Sequence, residues 1–163
     1  ELFMLSIQIS DIKDFMSHLL SKDTFDHFYF IEASIKMGVS YQIQGRINEG
    51  FYDTSVEQTL NREFCYWKEI RHRIFDIIKG KRLPLSCKIV LGLSKQSISY
   101  LIAHNNSSFR EEDIEGIYVN ILYDPKNLLI TTGISYKNFS LDKSLEYAFD
   151  EYLAKFLKEK AVI

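Results

Sequence analysis

With 163 residues and a formal net charge of −2 from 20 Lys and Arg against 22 Asp and Glu, the chain suits one domain over residues 1–163. It has no global charge signature of attraction to nucleic acid or membrane. Apolar residues make up 46%, including 12 Phe and 10 Tyr, while only 7 Gly and 2 Pro occur, which excludes a loop-rich or disordered chain.

The first element alternates Leu5, Ile7 and Ile9 with Ser6, Gln8 and Ser10, the period of a half-buried strand. Ser10 is the expected cap of a helix carrying Ile12, Phe15, Met16, Leu19 and Leu20. The aromatic run 27–31 leads into a strand, Met37-Gly38 reads as a turn, and Tyr41, Ile43 and Ile47 mark a returning strand interrupted by Gly45. Thr54 or Ser55, with Glu57 or Gln58 three residues on, resembles a capping box. A long helix over 60–78 follows, with the stripe Leu60, Phe64, Trp67, Ile70, Ile74 and Ile78, stopped by Gly80 and Pro84.

A second strand over 87–93 then alternates Ile89, Leu91 and Leu93, and Ser94 caps a short helix with Ile98, Leu101 and Ile102. Ser108 and Glu111 predict a capped turn before the strand of Ile117, Val119 and Ile121. Asp124-Pro125-Lys126-Asn127 is a turn by composition, and 128–134 returns with Gly133 near its end. Ser140 is the expected cap of the last helix, whose stripe is Leu141, Leu145, Phe149, Tyr152 and Phe156.

Residues 5–80 and 85–160 thus follow one succession of elements, a possible internal pseudo-repeat. Ser10 matches Ser94, Gly45 matches Gly133, and the helix of 60–78 matches that of 141–157. Common connectivity alone can produce the same pattern, so both explanations stand. The fold class is α+β, an antiparallel hairpin sheet with helices packed on one face.

The stretch Ile78-Lys79-Gly80-Lys81-Arg82-Leu83-Pro84-Leu85-Ser86-Cys87-Lys88-Ile89-Val90 resembles one found in a family of uncharacterised bacterial proteins. So does Leu141-Asp142-Lys143-Ser144-Leu145-Glu146, and the resemblance extends over nearly the whole chain from Met4, which reads as a natural start. It implies no activity and no catalytic residue. The plan is also similar to the repeating unit of DNA sliding clamps, with a long helix where the clamp unit continues with another strand.

No chemistry-bearing motif stands out. His18, His27, His72 and His104 lack metal-site spacing, and neither Cys65 nor Cys87 belongs to a CxxC pair or neighbours a His. A nucleophile elbow and a phosphate loop are both missing, so no catalytic residue, metal or cofactor is expected. The acids Glu111, Glu112, Asp113 and Glu115 fit the start of a helical turn. No window reaches the roughly 18 apolar residues of a membrane span. Asp11, Lys13 and Asp14 interrupt any signal-peptide run, so a cytoplasmic protein without a membrane partner is expected.

The charge feature worth pursuing is basic. Between residues 68 and 88 stand Lys68, Arg71, Arg73, Lys79, Lys81, Arg82 and Lys88 against Glu69 and Asp76, a local excess of five positive charges. Cations at a helix C-terminus also stabilise its carbonyl end, by a few tenths to about 1 kcal/mol, which is the structural alternative. The leading expectation is a non-enzymatic binding protein that contacts an anion or nucleic acid through Lys79, Lys81, Arg82 and Lys88, with Tyr66 or Trp67 nearby for stacking, although the place of Trp67 in the apolar stripe assigns it to the core. Self-association through aromatic surface is a further expectation. One alternative is a small-molecule enzyme with Glu32, Arg46, Tyr52 and Asp53 at the junction of the halves. Another is a structural subunit with an apolar face completed by a second chain.

Overall fold

The computed structural model describes residues 5–52 and 61–163. The chain runs β1 (Ser6–Gln8), α1 (Ile12–Leu20), β2 (Tyr29–Lys36), β3 (Ser40–Gln44), a 3₁₀ turn (Glu49–Phe51) and α2 (Trp67–Ile78). It continues with β4 (Ser86–Gly92), α3 (Lys95–His104), a second 3₁₀ turn (Glu111–Asp113), β5 (Ile114–Tyr123), β6 (Leu128–Tyr136) and α4 (Ser144–Glu159). The strands form one antiparallel sheet in the order β1-β6-β5-β4-β2-β3, as the α+β reading requires. Strand, helix, hairpin and helix follow one another in both halves, but the first strands are placed differently. β4 lies between β2 and β5, whereas β1 forms an edge against β6.

Alternation sends Ala33, Ile35, Ile89, Leu91, Val119 and Ile121 to the face that the helices cover. Against them pack Phe15 and Leu19 of α1, Trp67 and Ile74 of α2, and Phe149 and Leu153 of α4, all essentially unexposed. The opposite face carries a row fixed by register: Gln42, Ser34, Lys88, Leu122, Leu129 and Gln8, one from each strand. None of these six is buried.

Several predicted boundaries move. The α1 cap is Asp11 rather than Ser10, its Oδ1 accepting the Asp14 N–H at 3.0 Å. The proposed caps Thr54, Ser55, Glu57 and Gln58, with Leu60 of the stripe, lie outside the described residues. Helix α2 starts only at Trp67, so Phe64 is not on it.

The reason is tertiary. Segment 63–66 is claimed by neighbouring backbone: Phe30 N donates to Cys65 O at 2.8 Å, Cys65 N to Gly45 O at 2.9 Å, and Ile47 N to Glu63 O at 2.9 Å. These bonds wedge the segment into the fork where β2 and the chain after β3 part, and they outweigh the helical spacing of its apolar residues. Gly45 permits the close approach, because a Cβ there would sit 1.9 Å from Phe30 O. Gly133, its match in the second half, has open space instead. Glu69 then starts α2 by accepting the Tyr66 N–H at 2.6 Å, and Arg62 holds that carboxylate below its ordinary range.

The last helix also begins late, at Ser144, leaving Leu141 outside it and exposed. Ser140 does not cap it. Asp142 Oδ1 accepts the Ser144 N–H at 2.9 Å, which defines the start. The short turn over Glu111–Asp113 exists, but its cap is the Asp113 carboxylate on the Arg110 N–H at 2.8 Å rather than Ser108. Ser94 caps α3 as expected, accepting from Ser97 N at 3.2 Å. Asp124 closes its predicted turn by accepting from Lys126 N and Asn127 N.

Candidate basic surface

Helix α2 ends where Lys79 leaves helical geometry and Gly80 adopts φ +142°, a conformation L side chains rarely reach. Residues 79–85 then cross the end of the sheet into β4. Leu85 N donates to Lys36 O at 2.8 Å, and Pro84 is buried, so the far part of the loop is anchored rather than free. Lys36 ends β2 opposite Ser86, two residues before Lys88 on the same open face.

The expected cations therefore converge, with differences among them. Lys81 and Arg82 are exposed on the loop, and Lys88 is exposed on the open sheet face, none with an ion-pair partner among the described residues. Lys79 is held by Asp76 at 2.9 Å and lies over the Phe75 ring, 6.0 Å from its centroid. Lys36 joins them, although no local signal points to it, because it is a β2–β4 pairing that brings it beside the loop. Arg71 leaves the group: its Nε and Nη2 bind Asp26 Oδ1 and Oδ2, in the segment between α1 and β2, at 2.7 and 3.1 Å.

The stacking partners expected beside the loop are elsewhere. Trp67 is fully buried, its Nε1 donating to Leu19 O at 2.7 Å. Tyr66 pairs with Tyr29 at the other end of β2. Residues 66 and 78 are separated by the whole of α2, about 18 Å at 1.5 Å per residue. Three aliphatic side chains stand beside the cations instead: Val39, in the turn after β2, with Leu83 and Leu85 on the loop.

At the opposite end of the sheet an open cleft of about 790 Å³ is bordered by Arg46, Glu63, Phe64, Lys95, Glu112 and Lys137. Of the residues expected at the junction of the halves, Arg46 borders it, while Glu32 and Tyr52 do not; Asp53 lies outside the described residues. Its lining is mixed in sign, with three cations and four acids, and some of these are paired. Arg46 pairs with Glu63 and lies over the Phe64 ring, and Glu112 binds Arg110 at 2.9 Å.

The remaining acids serve local geometry, Asp113 as a cap and Glu115 by accepting from Ser135 Oγ at 2.8 Å. No group of three His, Cys, Asp or Glu among the described residues could hold a metal ion. Burial pushes the Cys87 thiol up to about 12 and Cys65 up to about 11, which suppresses their thiolates at neutral pH. No described helix is long and apolar enough to cross a membrane.

Fold and surface together define an α+β protein with one helix-covered face and a basic rim. The chain belongs to the DUF5721 family, a family of unknown function whose model matches residues 18–163. No curated protein and no solved structure matches it.

Proposed function

We propose that this is a non-enzymatic binding protein that engages an anionic partner through Lys36, Lys79, Lys81, Arg82 and Lys88. The observation that carries the reading is the anchored loop, which holds Lys81 and Arg82 in solvent with no ion-pair partner among the described residues. Cations that serve only to complement a helix C-terminus act within its last turn, and Lys88 on the sheet lies outside that explanation. The cleft, lined by four acids against three cations, is the weaker candidate for an anion.

The test is binding to a polyanion such as heparin or duplex DNA over a series of salt concentrations. The triple variant Lys79→Ala, Lys81→Ala, Arg82→Ala is expected to weaken binding and to lower the log–log salt slope by about 3. Wild-type protein that shows no salt-dependent binding, or a triple variant with an unchanged slope, would rule the reading out. The free thiols, Cys87 buried and Cys65 half-buried, suit a reducing compartment, and the cytoplasm is the proposed setting.

One observation favours a second reading, a subunit of an assembly. Phe139 and Leu141 are 89% and 81% exposed on the strap before α4, with Tyr147 exposed on the helix itself. Sedimentation equilibrium should then detect self-association that Phe139→Ser with Leu141→Ser abolishes. A monomer at all accessible concentrations would exclude a homo-oligomeric form.

A further inference from the structure

We infer that the anionic partner is a lipid surface rich in acidic headgroups, on which the basic end docks with Val39, Leu83 and Leu85 immersed among the headgroups. This rests on the anionic-partner reading above, specifies what the partner is, and replaces the expectation of a chain without a membrane partner. The three side chains are 64%, 67% and 71% exposed, although each belongs to a residue type normally sheltered from water. They are held out rather than loosely disposed. Pro84 between the two leucines is buried, Leu85 N is tied to Lys36 O, and Met37 N donates to Val39 O at 3.1 Å across the neighbouring turn.

Two adjacent turns thus present aliphatic tips, and the exposed Lys36, Lys81 and Arg82 lie within three residues of a tip along the chain. Aliphatic side chains cannot stack on bases; Tyr66 and Trp67 lie away from this end or in the core, Phe75 lies under the Lys79 ammonium, and Tyr41 is 37% exposed, well below the aliphatic tips. Projecting apolar tips flanked by Lys and Arg fit the bilayer interface, where apolar burial and attraction to anionic lipid act together. Without a spanning helix among the described residues, the contact is peripheral. The formal charge of −2 for the whole chain further favours approach by this end, since the rest of the molecule carries the negative excess.

The full chain is to be sedimented with phosphatidylcholine vesicles and with vesicles containing 30% phosphatidylglycerol, alongside heparin and duplex DNA. The anionic vesicles are expected to bind the protein, and the neutral ones at least tenfold less. Leu83→Ser with Leu85→Ser should cut vesicle binding at least tenfold and leave heparin retention unchanged. Lys81→Glu with Arg82→Glu should lose both. Leu83→Trp supplies a direct reading, a blue shift in emission with anionic vesicles and none with DNA.

Vesicle binding indifferent to the leucine substitutions, or no blue shift, overturns the inference. Binding to heparin or DNA without vesicle binding overturns it too, while leaving the anionic-partner reading in place. Loss of every anionic ligand removes both.

Discussion

Replacing Phe149 and, separately, Phe64 with alanine distinguishes the core helix from the wedge that precedes α2. Phe149 is 1% exposed on the inner stripe of α4, between Leu145 and Leu153. Deleting such a ring costs about 3–5 kcal/mol. That is a large share of a stability of about 5–15 kcal/mol. At about 2–4 °C per kcal/mol the midpoint should fall by roughly 6–20 °C.

Phe64 is half-buried, meeting Tyr29 at a ring distance of 6.2 Å and lying under the Arg46 guanidinium at 5.1 Å. Partial burial and one exposed cation–π contact amount to about 1–2 kcal/mol. Urea unfolding followed by fluorescence of Trp67, the sole and fully buried tryptophan, measures both. Equal losses at unchanged m-value would mean that Phe64 is core and that its segment belongs to the helix. A near-neutral Phe149→Ala would contradict the α4 stripe.

Gly45→Ala should cost about 3 kcal/mol or more, because its Cβ meets Phe30 O, whereas Gly133→Ala has room and should change the thermal midpoint little; similar effects would refute the close approach. Arg71→Ala strands the Asp26 carboxylate, which is 12% exposed, at a cost of about 3 kcal/mol, and Arg71→Lys should restore only part of it, since a lysine cannot supply the bidentate fork; full recovery in urea titrations would argue against that geometry. Burial against β6 raises the Asp150 pKa, while Thr132 Oγ donates to its Oδ1 at 2.8 Å. The folded protein then holds a proton that the unfolded chain releases, so this group's contribution is present below the unfolded value of 3.8 and lost as pH rises through the folded one. Asp150→Asn keeps the acceptor and should gain stability relative to wild type between pH 4 and pH 7; a relative loss over that range in thermal melts would reverse the sign.

Local chemistry alone determined much of the fold. Period-two runs gave the strands their two faces, Ser94 and Asp124 supplied a cap and a turn through their own oxygens, and Gly80 ended α2 where its backbone freedom was needed. The basic loop was legible for the same reason, as a run of adjacent cations. Apolar spacing could not tell that residues 63–66 would be taken by the backbone of Phe30, Gly45 and Ile47, because helical periodicity says nothing about distant hydrogen-bond partners.

Nor could local sequence tell that β4 would settle beside β2. That non-local pairing brings Lys36 and Val39 beside Leu83 and Leu85. Trp67, by contrast, is in the core as its place in the apolar stripe predicts. The sequence by itself determined that a basic segment exists. Only the tertiary structure decided that the segment is a rigid rim with aliphatic tips, because the anchoring bonds come from a strand some fifty residues away.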